Sequence, residues 1–368
     1  MQLTAQILLD TTHEQAESLK RTLCLTNACC DFMSKLAFEH KVFSRFKLQK
    51  IAYREVRDSF PMLAAQIVIR AFAKVSDAYA LDRKIQRTFR PLGAISYDIR
   101  ILSFKHEDKT VSIWTVDGRL KIPFKCGPRQ FELLQGKRGE ADLCLINGKF
   151  FLLVACEVET PEPLDIDGFL GVDLGIVNVA SDSDGEDFSG QAVDSNRRTF
   201  AHRRRNLQRN GSKAARRKLK KLSGRQARFQ KDTNHKISKR IVQKAQDTKR
   251  GIALEDLGGI RDRVTVRRKQ RARLANWSFF QLRAFIHYKA MRAGIPVALV
   301  DPRNTSRGCS VCGYVDKANR KSQALFLCVS CGHSAPADTN AAVNISARAA
   351  VMRPMVGRPL PYLQATPL

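Results

Sequence analysis

Apolar residues divide this chain into stretches of different period. Residues 2–9, QLTAQILL, read as a strand. A helical stretch follows to about residue 90. It opens on Thr11-x-x-Glu14, the spacing of a capping box, and continues after Pro61 through MLAAQIVIRAFAKVSDAYA, with proline expected in the first turn. From 95 to 160 the chain turns β-rich. VSIWTV and RLKIPF flank Asp117-Gly118, and LCLI and KFFLLVACEV flank Asn147-Gly148. Both dipeptides suit the positive φ angles of a two-residue hairpin turn. An antiparallel barrel or sheet is expected, with the helical stretch inserted after its first strand. The Pro/Asp-rich joint TPEPLDID (160–167) reads as a boundary.

Beyond it, FLGVDLGIVNVASDSDG predicts two strands joined by a tight turn. GIALEDL (251–257) is a short buried strand ending in acids, and IPVALVD (295–301) is another. NWSFFQLRAFIHYKAMRAG (276–294) predicts a helix with Trp277, Phe280, Ala284, Tyr288 and Met291 as its core-facing stripe. A last helix runs from about Asp338 to Val351, and a proline-rich tail, 353–368, is expected to be disordered. Residues 202–250 break the pattern: they are polar, with nineteen Lys and Arg against Asp232 and Asp247. Two long helices broken near Asn210-Gly211-Ser212 and Ser223-Gly224 would fit. So few acids cannot balance that charge within the helices, which favours phosphate binding over a merely solvated face.

Composition extends this reading to the whole chain. The 368 residues carry a formal charge of +29 and a pI near 10.1. Such a charge calls for a polyanion, nucleic acid first and an anionic membrane surface second. No apolar run is long enough to span a bilayer, and the opening residues lack a basic region followed by an apolar core, so neither a membrane span nor a signal peptide is expected.

Ten cysteines are present. Cys309-x-x-Cys312 and Cys328-x-x-Cys331 have the spacing of a closed tetrahedral Zn²⁺ site, with Gly313 and Gly332 letting the chain fold back under the metal. A closed Cys₄ site is structural. His333 is a neighbour and is not expected to be a ligand. Cys24, Cys29, Cys30, Cys126, Cys144 and Cys156 read as small buried hydrophobes in a reducing cytosol.

Three acids stand in unexpected places. Asp173 in GVDLG and Glu255 in IALEDL lie in apolar strands, where an unpaired carboxylate is costly to ionise. Asp338 in ADTNAA opens a helix, where an N-cap is the simpler reading. Together they can converge on one edge of a mixed sheet and hold two Mg²⁺ ions, with Mn²⁺ as an alternative, to hydrolyse a phosphodiester.

GVDLG, LEDL and CSVCG…CVSCG followed by ADTNAA resemble the split RuvC motifs and zinc ribbon of the TnpB family, transposon-encoded RNA-guided nucleases similar to the catalytic half of type V CRISPR effectors. GSKAARRKLKKL is similar to the family's basic bridging segment, WSFFQLRAFIHYKA to its helix after the second motif, and DPRNTSRGCS to its approach to the ribbon. Thr339 and Arg307 stand where the family often has Arg and Gln. The resemblance implies an α+β multidomain protein. A wedge β-barrel domain (1–10 and 91–165) with a helical recognition insert (11–90) would precede an RNase H-like (RuvC) α/β mixed sheet (166–305 and 336–352) with an inserted Cys₄ zinc ribbon (306–335). It implies Asp173, Glu255 and Asp338 as catalytic acids. Its partners would be a guide RNA from the transposon end and double-stranded target DNA bearing a short adjacent motif, in the cytoplasm and on the nucleoid. Arg203, Arg204, Arg205, Lys213, Arg216, Arg217, Lys218, Lys220, Lys221, Arg267, Arg268 and Lys269 are the candidate nucleic-acid contacts. An RNA-guided DNA-binding repressor is the alternative; relatives of that type lose catalytic acids, and all three are present here.

Overall fold

In the computed structural model of this chain, residues 1–175, 177–257 and 279–351 are described. The chain divides into two compact units, Met1–Glu159 and Thr160–Leu368. Both mix helices and sheets, so the protein is a mixed α/β multidomain chain.

The first unit is built on seven strands: β1 (Gln2–Leu9), β2 (Ile95–Tyr97), β3 (Leu102–Lys105), β4 (Thr110–Thr115), β5 (Gly118–Lys125), β6 (Arg138–Ile146) and β7 (Lys149–Glu157). Their order is β2-β6-β7-β1-β5-β4-β3, with every pairing antiparallel. Edge strands β2 and β3 are separated in sequence only by residues 98–101, and the Tyr97 hydroxyl on one donates to the Trp114 carbonyl beside the other, 3.0 Å away. The sheet therefore curls into a nearly closed barrel. Between β1 and β2 run α1 (His13–Glu39), α2 (Arg45–Ser59) and α3 (Ala65–Leu81), and α4 (Pro128–Gln135) follows β5. Strand residues Ile7 and Val154 and helix residues Leu23 and Phe72 share one buried core. Buried Asn27 ties α1 to the chain entering β2 through the carbonyls of Pro91 and Gly93.

Several details differ from the sequence reading. The capping box is Thr12 with Gln15, one residue later than Thr11-x-x-Glu14, because the first helical residue is His13. The helical stretch ends at Leu81, not near 90, and Pro61 lies in the turn before α3 rather than in its first turn. Asn147 and Gly148 both take positive φ as a two-residue hairpin turn requires. At the other hairpin Thr115 pairs with Gly118, so the turn is Val116-Asp117 and only Gly118 has positive φ. The Thr115 hydroxyl holds it, accepting from Asp117 N and donating to the Gly118 carbonyl. Cys24 is exposed, contrary to expectation, on the outer face of α1.

The second unit centres on a five-stranded sheet of order β10-β9-β8-β11-β12. Its strands are β8 (Phe169–Asp173), β9 (Asn178–Asp182), β10 (Asp187–Ser189), β11 (Gly251–Glu255) and β12 (Val297–Val300). Strands β8, β9 and β10 are antiparallel neighbours, whereas β8, β11 and β12 run parallel. The parallel strands are covered on both faces, which is why they read as continuous apolar runs. One face packs Leu170, Val172, Ile252 and Leu254 against α6 (Lys213–Asp247) and α7 (Phe279–Arg292). The other packs Phe169, Ala253 and Val300 against α8 (Ala337–Val351).

Helix α5 (Gln191–Asn210) ends at Gly211, whose φ of 66° supplies the left-handed turn, and Ser212 then caps α6. The second expected break does not occur: Gly224 lies inside α6. A helical glycine costs only about 1 kcal/mol relative to alanine, too little to end a helix whose neighbours favour it. The buried stripe of the 276–294 helix also differs from the expected one. Leu282, Phe285, Ile286 and Ala290 are the buried positions of α7, while Phe280 is exposed and Ala284, Tyr288 and Met291 only half-buried. Two stripes of that helix are apolar, and the sheet and α6 select the one on which Phe285 stacks against His235, 3.9 Å between centroids. Trp277, the 261–273 basic run and the 353–368 tail lie outside the described residues.

Candidate active site and zinc ribbon

Strand register brings two of the acids together. Leu254 pairs with Val172 in the parallel β8–β11 ladder, so Glu255 and Asp173 follow side by side at the strands' C-terminal ends. The third acid arrives through a close helix contact. At Gly171, a Cβ would fall 1.9 Å from the Ala342 carbonyl oxygen and 2.7 Å from Ser346 N. Only glycine admits α8 at that depth. Ser346 Oγ reinforces it by donating to the Phe169 carbonyl, 2.6 Å away. Side chains two apart on a strand share a face. Asp173 therefore lies on the α8 side, as does Glu255, two residues beyond Ala253. Asp338, one turn before Ala342, sits at that end of the helix.

Two of the carboxylates have side-chain partners. Asn178 Nδ2, at the start of β9, donates to Asp338 Oδ2 at 3.1 Å, and an Arg320 guanidinium nitrogen lies 3.6 Å from Asp338 Oδ1. Thr305 Oγ1 donates to Glu255 Oε1 at 2.5 Å. Burial pushes the Asp173 carboxyl up from 3.8 to about 7, helped by repulsion from Glu255 and Asp338 and opposed by Arg320 and the Leu174 N–H. Burial also raises Glu255, against the Thr305 hydrogen bond and the Arg348 charge. Asp338 is raised by burial too, against Arg320 and the Asn178 hydrogen bond. Negative charge is thus crowded into a low-dielectric edge with incomplete compensation, a donor set of hard oxygens that fits divalent cations such as Mg²⁺.

The cysteines form a tighter cluster. Among the described residues, theirs is the only set of three or more ligating side chains whose donor atoms all lie within 4.8 Å of one another; the three acids are more widely spread. Cys309 Sγ is 3.7 Å from Cys331 Sγ, and Cys312 Sγ is 3.6 Å from Cys328 Sγ. Each pair sits on a turn closed by glycine: Gly313 N donates to the Cys309 carbonyl and Gly332 N to the Cys328 carbonyl, both glycines at φ 74°. The Cys331 N–H points at Cys328 Sγ and holds that thiol down to about 7, favouring the thiolate a metal needs. Four convergent sulfurs fit Zn²⁺. His333 lies outside the cluster, its Nε2 3.5 Å from the Ser310 hydroxyl. Strands β13 (Leu325–Leu327) and β14 (Ser334–Pro336) complete the ribbon. Buried Asn319 braces it through the carbonyls of Arg307 and Tyr314 and the Val329 N–H.

The basic segment is partly neutralised from outside itself. Lys244 on α6 meets buried Asp182 at 2.5 Å and also Asp184 and Glu186, while Arg250 makes two hydrogen bonds to Asp184 and Arg240 one to Glu186. That clamp fastens the C-terminal end of α6 to the β9–β10 turn. Further along, Arg203, Arg205, Lys213, Arg216, Arg217, Lys218, Lys220 and Lys221 are exposed, and no ion pair among the described residues engages them. Arg204 is half-buried against Gln226 Oε1, 2.7 Å away. Arg267, Arg268 and Lys269 lie outside the described residues.

Sequence reasoning missed Asn178, Thr305 and Arg320. Arg320 lies within the ribbon, and nothing local to it signals an acid that only the folded ribbon brings near. Among the described residues, no helix is long and apolar enough to cross a membrane.

Comparison with known proteins places these features in context. Residues 153–258 match a family model described as "Probable transposase", and residues 279–345 one described as "Cas12f1-like, TNB domain". The CRISPR-associated endodeoxyribonuclease Cas12f1 of Sulfoacidibacillus thermotolerans is 34% identical over 216 residues, covering 54% of this chain and 50% of that protein. A TnpB-like protein of Methanocaldococcus jannaschii is 38% identical over 128 residues, 34% of this chain and 45% of the relative. The chain spans about half the length of these relatives. The putative RNA-guided DNA endonuclease InsQ of Escherichia coli K12 is 28% identical over 249 residues, 60% of this chain and 61% of that protein. Among solved structures, a Cas12f1-sgRNA-target DNA complex contains a chain that superposes with a TM-score of 0.61 at 16% identity, covering 91% of this chain and 83% of that one. At that identity the likeness is one of fold.

Proposed function

We propose that the chain is a TnpB-like RNA-guided DNA endonuclease whose catalytic carboxylates are Asp173, Glu255 and Asp338, a reading supported by its similarity to a TnpB-like protein and to InsQ. The observation that carries this reading is the convergence of those three acids, from two parallel strand ends and one helix start, on a single sheet edge. A five-stranded sheet with two antiparallel and two parallel pairings, packed on one face by α8, supports assigning 166–305 and 336–352 to an RNase H-like RuvC domain. Residues 306–335 are then the zinc ribbon, 1–10 and 91–165 the wedge, and 11–90 the recognition insert.

Asp173, Glu255 and Asp338 would hold two Mg²⁺ ions, which when bound would supply Lewis-acid chemistry for phosphodiester hydrolysis. The chain's own groups do the rest. Asn178 and Thr305 orient Asp338 and Glu255. Arg320 brings a positive charge to the edge where a scissile phosphate would lie. The exposed cations of α5 and α6 hold backbone phosphates, leaving sequence recognition to pairing with a guide RNA transcribed from the transposon end. Target DNA would be read beside a short adjacent motif.

The test is to purify the chain with its co-bound RNA, sequence that RNA, and assay cleavage of matching duplex DNA with Mg²⁺. A discrete RNA and cleavage that vanishes in Asp173→Ala, Glu255→Ala and Asp338→Ala are expected, with guided binding retained. Guided binding without cleavage by the unaltered chain would instead establish the repressor alternative.

A further inference from the structure

The segment between β12 and the first zinc turn is laced along α8. Asn340, Asn344 and Arg348 stand four residues apart, on one stripe of that helix. Arg348 donates to the carbonyls of Asp301 and Arg303, at 2.7 and 2.6 Å. Asn344 donates to those of Thr305 and Gly308, at 2.9 and 2.8 Å. Asn340 donates to the Gly308 carbonyl and accepts from Ser310 N, at 2.9 and 3.0 Å. The helix that carries Asp338 thus also grips the backbone of 301–310. Within that stretch Thr305 is 3% exposed.

A hydroxyl has one proton to donate. Thr305 Oγ1 has two acceptors in reach, Glu255 Oε1 at 2.5 Å and the Pro302 carbonyl at 3.0 Å. An ionised carboxylate is the stronger acceptor, so the proton goes to Glu255. We propose that Thr305, clamped from behind by Asn344, is the positioning residue for Glu255: it fixes the carboxylate by Oε1 and leaves Oε2 for a cation. The entry to the zinc ribbon thereby sets the cation affinity of the acids. The role rests on the function proposed above and adds to it a residue that touches neither DNA nor metal. Partners one shell out from metal ligands commonly change affinity tenfold or more.

The experiment uses the full chain with its RNA and zinc. Thr305→Val keeps the shape and removes the hydroxyl, whereas Thr305→Ser keeps the hydroxyl. Mn²⁺ binding is followed by electron paramagnetic resonance, with zinc content and melting temperature measured alongside. About tenfold weaker Mn²⁺ binding is expected in the valine variant, with near-parental affinity in the serine variant and zinc and melting unchanged in both. The Mg²⁺ midpoint for cleavage should rise in parallel while the rate at saturating Mg²⁺ changes little. Equal weakening in both variants, or loss of zinc in step with Mn²⁺ affinity, overturns the proposal in favour of a merely structural threonine. A parent chain that binds Mn²⁺ beside a valine variant that binds it equally sinks only the role of Thr305. A parent chain without Mn²⁺ affinity sinks the proposed function and this role with it.

Discussion

Asn178 and Asp338 are 160 positions apart in sequence, and the carboxamide of the first donates to Oδ2 of the second at 3.1 Å. The hairpin that returns from Asp173 thus reaches across to the acid at the head of the last described helix. Asn178→Ala removes that donor and leaves Asp338 held only by the longer Arg320 contact. Cleavage is expected to fall about tenfold, the effect of roughly 1.4 kcal/mol on a rate, with melting nearly unchanged. An unaltered rate in a single-turnover assay would show that the contact orients nothing.

Asp173 links activity to stability. Its carboxyl ionises near 3.8 when free and near 7 in the fold, chiefly because it is buried. Between those values the folded chain holds a proton that the unfolded chain has lost, so metal-free stability falls as pH rises through that window. Asp173→Asn removes the ionisation. It should melt higher than the parent at pH 8 without metal, the gap closing towards pH 4, while cleavage is lost. Calorimetry showing no difference at pH 8 would contradict the raised value.

Two glycines should respond in opposite directions. Gly171→Ala places a methyl 1.9 Å from the Ala342 carbonyl and forces α8 away, so a loss of about 3 kcal/mol or more is expected. Gly224→Ala meets only the flexible Arg228 guanidinium, at 3.3 Å, and should stabilise α6 by about 0.5–1 kcal/mol. Chemical denaturation of the full chain reads both.

The exposed lysines of α6 should reveal themselves through salt. Replacing Lys218, Lys220 and Lys221 by alanine should flatten the dependence of RNA affinity on salt, each lost phosphate contact lowering the logarithmic slope by about 0.7–0.9. An unchanged slope would place the RNA elsewhere.

Cys309→Ser should lower zinc content and loosen the ribbon. Full zinc stoichiometry in that variant, measured by atomic absorption, would dismiss the four-sulfur site.

The sequence made the local features of this site legible and left the long-range ones hidden. Asp173 and Glu255 stood out because acids in apolar strands are anomalous, and the cysteines because ligand spacing is short-range. Asn178, Thr305 and Arg320 carried no such sign: each is an ordinary polar residue in a loop or at a strand start, given meaning by register and by the ribbon's return to the sheet. The elements that differ from the sequence pattern share this long-range origin. The helix at 279–292 has two apolar stripes, and only packing against α6 selects one; Gly224 resembles a break in isolation, yet the residues around it keep α6 helical.

The close seat of α8 on Gly171 completes the site last, because α8 is the last described element of the chain. Strands β8 and β11 leave the ribosome well before the ribbon and α8 do. A nascent chain can therefore present Asp173 and Glu255 but not yet Asp338, and the basic helices precede the third acid. On the proposed function, synthesis would pass through a stage able to hold nucleic acid before one able to cut it.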